Sequence, residues 1–153
     1  MASANQGVIE KTMSFRMDNV VARYAKDYKL SPQDAQAHEK EFKRYMALVA
    51  SNPGTIYGMC GPIDNLWHTF LTFTLQYQEF SQVTAQRFIH HFPNEHEGDK
   101  GDSKERKQHY ELFSRDYIET YGEEPPKHLW PYAMDTNPEA LGCSTCRCCV
   151  ALS

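Results

Sequence analysis

The sequence predicts an all-α fold, one domain of about four main helices, and three observations carry this. Apolar residues recur at three- and four-residue steps through the middle of the chain, the period of an amphipathic helix. Helix-start and helix-stop residues bracket those stretches. No apolar/polar alternation of useful length marks a strand. The 153 residues suit a single domain, and 41% hydrophobic against 24% charged content is globular.

The expected division is a flexible N-terminus over 1–13, a helical domain over 14–131 and a flexible Cys-rich tail over 132–153. Asp18 is positioned to cap a short helix carrying Val20, Val21, Tyr24 and Tyr28. Ser31-Pro32-Gln33-Asp34 is a strong helix start: a Ser N-cap, a Pro whose missing N–H costs nothing, and an acid at the positive helix end. That helix runs to about Ala50 and stops at Asn52-Pro53-Gly54. Residues 52–62 hold three Gly and two Pro and read as a loop. Pro62 opens the most apolar helix, to about Ser81, with Ile63, Leu66, Trp67, Phe70, Thr74 and Tyr77 on one face. This helix is expected at the centre of the fold. The 86–102 segment reads as a long loop anchored by Phe88, Ile89 and Phe92. Ser103 starts a last helix that Gly122 ends. Pro125 to Pro131 form a turn that docks Leu129 and Trp130.

The net charge is −4, with no basic block. That argues against nucleic acid, because phosphate binding needs clustered Lys and Arg. No apolar run approaches the roughly 20 residues of a membrane span, and no signal pattern opens the chain, so a cytoplasmic location is expected. Glycine-rich nucleotide-binding patterns and the Gly-x-Ser-x-Gly hydrolase elbow are absent, so no nucleotide cofactor is expected.

Asp64 and His68, four apart on a helix, share a face. A carboxylate and an imidazole at this spacing hold a metal ion, or the carboxylate fixes the imidazole tautomer. His90 and His91 are the natural partners. Neighbours in extended backbone point oppositely, so one of the pair is expected to reach the site. His109 is a weaker candidate ligand, and His96 and His128 are weaker still. Zinc is the default metal because it accepts mixed nitrogen and oxygen ligands, and metal-activated water for hydrolysis is the simplest chemistry. The competing reading is a non-catalytic interaction module, in which the Asp64–His68 pair only locks a loop to its helix.

Four of the five Cys lie in the last 11 residues. Cys143, Cys146, Cys148 and Cys149 are too tightly spaced for a well-formed four-thiolate zinc knuckle, but soft thiolates favour Cu(I) or Zn(II). The tail reads equally as a solvated segment, a bridge to a partner or a modification substrate. Cys60, just before the helix bearing Asp64, pairs on paper with His68 as nucleophile and base, although a buried structural thiol is the commoner case.

Asp64-Asn65-Leu66-Trp67-His68, then Tyr77 and Phe80, then Phe88-Ile89-His90-His91-x-Pro93, resembles the bacterial glycine-rich domain-containing protein-like family, whose function is unknown. The resemblance runs from about Asn19 to Cys149 and includes Pro126, Leu129-Trp130-Pro131 and the Cys-rich end. It departs at Ser81, where members often carry Cys, and in lacking a long Gly-rich region. It implies that Asp64, Trp67, His68, His90 and His91 act as a unit, and it identifies no reaction.

Overall fold

The computed structural model describes residues 4–59, 61–92, 103–131 and 149–152. These are mostly helical: α1 (Gln6–Ser14), α2 (Asp18–Tyr28), α3 (Pro32–Ser51), α4 (Pro62–Leu71), α5 (Thr74–Ala85) and α6 (Ser103–Tyr121). Among the described residues there are six helices, where about four main ones are expected. No helix among the described residues is long and apolar enough to cross a membrane.

The 1–13 segment is not frayed where it is described. Asn5 caps α1 by accepting from the Gly7 N–H. The Lys43 ammonium donates to the Met13 and Phe15 carbonyls at 3.3 and 2.7 Å, clamping the end of α1 to α3. Asp18 is the first helical residue of α2 rather than its cap, and Tyr28 is exposed. In α3, Ser31 accepts from the Asp34 N–H as its sequence predicts.

The central helix is α3, not the segment after Pro62. It packs against each of the other five helices. Residues Tyr45 to Ala50 are buried all round, as expected for a helix turn that is apolar on every face. The segment from Pro62 to Ser81 is two helices. At the break, the Thr72 hydroxyl donates to the Thr69 carbonyl at 2.7 Å and the Thr69 hydroxyl to Asn65 at 3.2 Å. Such back-bonding competes with the helix ladder.

The 126–131 turn docks as expected. Trp130 is fully buried, stacks on Tyr45 at 5.6 Å and donates its indole N–H to Glu41 at 3.0 Å. Glu41, 4% exposed, also accepts from the Tyr117 hydroxyl at 2.9 Å and lies beside Arg44.

A small antiparallel sheet corrects the strand-free expectation. It comprises β1 (Tyr57–Met59), β2 (His90–Phe92) and β3 (Cys149–Leu152), in the order β1-β3-β2. Two presumed loops and the end of the presumed tail thus supply strands. Three- and four-residue strands are too short for alternation to register in a sequence. The rest of the loop, 93–102, and of the tail, 132–148 and 153, lies outside the described residues.

Candidate metal centre

Gly61 enters α4 at φ +90°, a left-handed conformation natural to glycine. A Cβ there would lie 2.9 Å from Pro131 Cδ and 3.1 Å from the Leu129 carbonyl. The start of α4 is therefore pinned against the 126–131 turn. Asp64 falls in the first turn of α4, fully buried, and His68 lies one turn later on the same face.

The third member comes from β2. Its side chains alternate, so His90 points outward between the exposed rings of Phe88 and Phe92, while His91 points inward. His91 is held edge-on to Trp67, with ring centroids 4.3 Å apart. Behind it, Trp67 donates its indole N–H to the Tyr77 hydroxyl at 3.1 Å, and Tyr77 donates to the Ile89 carbonyl at 2.6 Å. This buried relay fixes the backbone two residues before His91.

Two imidazole nitrogens converge on the two oxygens of one carboxylate. His91 Nε2 lies 3.0 Å from Asp64 Oδ1, His68 Nε2 lies 3.4 Å from Asp64 Oδ2, and the two Nε2 atoms are 3.1 Å apart. Asp64, His68 and His91 form a group able to hold a metal ion. Donors about 2.0–2.1 Å from one ion sit roughly 3.0 Å apart at right angles and roughly 3.4 Å apart at the tetrahedral angle. The nitrogen–nitrogen separation and the distance from each nitrogen to its nearer Asp64 oxygen fall in that interval.

The protons point the same way. A neutral imidazole carries one N–H, on either nitrogen. Two N–H groups facing across 3.1 Å repel, and two bare nitrogens beside a carboxylate present only lone pairs. An N–H on each Nε2 serves the two contacts to Asp64 but leaves the nitrogen–nitrogen contact repulsive, whereas a divalent cation serves all three. Burial pulls His68 below the ordinary imidazole range; Asp64 opposes this and His91 adds to it. His68 is therefore neutral near pH 7, with a lone pair to offer. Its side chain is 30% exposed, against 7% for His91 and 0% for Asp64, so the cluster opens to solvent on the His68 side.

Of the residues singled out from sequence, Asp64, His68 and His91 come together. His90 faces away. His109 lies on α6, 4.0 Å from Glu105, outside the group. His128 is exposed on the 126–131 turn. Cys60, His96, Cys143, Cys146 and Cys148 lie outside the described residues, and Cys149 opens β3. The supporting role of Tyr77 escaped the sequence reading, which placed it in the core for its ring. The available signal was that a buried Tyr hydroxyl needs a partner.

Fold and site together define a mostly helical protein with a cluster of two histidines and one carboxylate able to hold a metal. The chain belongs to the UCP032817-like family, an uncharacterised family that it matches over residues 7–135. This overturns the resemblance to the glycine-rich domain family, which no match supports. The residues quoted for it, Asp64 to His68 and Phe88 to Pro93, fall inside the matched span. No curated protein and no solved structure matches the chain.

Proposed function

We propose that this protein binds one divalent metal ion, zinc by default, through Asp64, His68 and His91, and that the metal serves a hydrolytic reaction. One observation carries the reading: an imidazole nitrogen from α4 and one from β2 lie 3.4 and 3.0 Å from the oxygens of the fully buried Asp64 carboxylate and 3.1 Å from each other. Three protein ligands are the number found at catalytic zinc sites, where a fourth position takes water or substrate. The partial exposure of His68 supplies access. A metal in this setting supplies an activated water at neutral pH.

Elemental analysis of purified protein tests the reading. Near one equivalent of metal is expected, lost in Asp64→Asn, His68→Ala and His91→Ala and kept in His90→Ala. It should also survive conversion of Cys143, Cys146, Cys148 and Cys149 to Ser, which preserves the β3 backbone as a tail deletion would not. Metal that disappears only with the thiols would place binding at the tail instead. A metal-free wild type, with His68→Ala merely less stable, would make the cluster a brace between α4 and β2.

A further inference from the structure

Among the described residues β1 and β2 do not pair with each other; each pairs with β3. Ala151 lies opposite Tyr57 on one side and His91 on the other, and Val150 lies opposite Gly58 and Phe92. Val150 and Ala151 thus pair on both edges, Cys149 with β1 alone and Leu152 with β2 alone. Without β3, two short strand edges would face one another across two strand spacings, roughly 9–10 Å. Their N–H and C=O groups would need new partners. That gap is shaped for one extended segment running antiparallel to both walls.

Each wall is anchored without β3. The Tyr57 carbonyl accepts from the Tyr45 hydroxyl at 2.8 Å, and a Cβ on Gly58 would lie 3.2 Å from the Tyr110 ring, so β1 is pressed onto α6. β2 is held by the Tyr77 bond to Ile89 and the Asp64 bond to His91. The face of the slot is selective as well. Directly opposed residues on neighbouring strands share a face. Ala151 is fully buried there, between fully buried Tyr57 and the candidate ligand His91. A larger side chain at that position would press on both.

We propose that the slot between β1 and β2 is a binding site for an extended peptide with a small residue at its centre. Residues 149–152 occupy it in cis, and its occupancy sets the metal affinity of the Asp64–His68–His91 cluster. The second half rests on the metal-binding reading above; the peptide site stands apart from it. His91 is the shared element, since it belongs at once to the cluster and to the strand that β3 pairs. Linkage requires the coupling to be reciprocal: metal tightens the peptide by the factor by which peptide tightens metal.

The test starts from full-length folded protein. A protease site is placed after Gly142, with Cys143, Cys146, Cys148 and Cys149 all changed to Ser to remove thiol chemistry. After cleavage, the 143–153 peptide is dissociated and re-added with a fluorescent label. Expected are saturable rebinding by anisotropy, no loss of helical circular dichroism, and zinc affinity at least ~10-fold lower without peptide, the scale of losing a supporting partner. The four-Ser peptide with Ala151 retained should restore zinc affinity, and its Ala151→Leu counterpart should neither bind nor restore it. Loss of helical signal on dissociation would overturn the proposal by making β3 an integral part of the core. Unchanged zinc affinity without peptide would overturn the coupling. If the intact chain takes up no zinc, the metal reading fails while the anisotropy measurement still decides the peptide site.

Discussion

Two buried carboxylates on helices, Glu41 and Asp64, have opposite surroundings. Glu41 is met by groups that can only donate to it: the Trp130 indole N–H and the Tyr117 hydroxyl, with the Arg44 guanidinium nearby. Arg44 in turn donates to Tyr117 and Glu123. That network is a closed structural knot joining α3, α6 and the 126–131 turn. Asp64 is met by two imidazoles that also face each other. Burial of a carboxylate therefore does not make a metal centre. What matters is whether its neighbours bring fixed protons or lone pairs.

The largest effect should come from breaking the closed knot. Glu41→Ala leaves the Trp130 indole and Tyr117 phenol donors buried without this acceptor and removes the carboxylate beside Arg44, and should cost about 3–5 kcal/mol in urea unfolding. Zinc affinity per folded molecule should stay within about threefold. Asp64→Asn should do the reverse. Its zinc affinity by calorimetry should fall by more than the ~10–100-fold that loss of a supporting partner costs. Most of its stability deficit should appear only when zinc is present, since ligand at 100 times its Kd adds about 2.7 kcal/mol to the wild type. An equal deficit in metal-free protein would move Asp64 into the same class as Glu41.

Tyr77→Phe sharpens the contrast from one shell further out. It removes the donor to the Ile89 carbonyl and the acceptor for Trp67, while the ring stays. Zinc affinity should drop ~10-fold, with about 1 kcal/mol lost from metal-free stability.

The smallest effect is a pH slope. Burial holds His38 below the ordinary imidazole range, opposed by Asp34 and reinforced by His128. Its Nδ1 lies 2.7 Å from the Tyr24 hydroxyl, which itself donates to the Pro62 carbonyl at the start of α4. A depressed folded-state value means the unfolded chain takes the proton first. The stabilisation is thus complete above the unfolded value near ~6.5 and is lost as pH falls through the folded value. Urea stability of metal-free protein should decline from pH 7.5 to 5.5, and His38→Asn should flatten that decline.

The helical elements were largely legible in the sequence because caps and periodicity are local. Ser31 and Pro32 mark the start of α3, and Gly122, at φ +72°, marks the end of α6. The α4–α5 break was not legible, since Phe70, Thr74 and Tyr77 keep helical spacing across it while two Thr hydroxyls interrupt the ladder. Asp64 and His68 could be paired from spacing within one helix. That His91 joins them and His90 does not depends on strand alternation, which the sequence does foreshadow. Ala151 opposite His91 was out of reach, because pairing across sixty residues leaves no local trace. Neither did Glu41, whose spacing to Arg44 looks like any exposed helix pair.

The edge-on contact between Trp67 and His91 has an optical consequence. The indole and the imidazole touch, with ring centroids 4.3 Å apart. A ligand bound by His91 would change the ring packed against Trp67, so filling the cluster should change Trp67 emission. The chain carries its own fluorescent gauge of the cluster, readable without a label and without knowing the substrate.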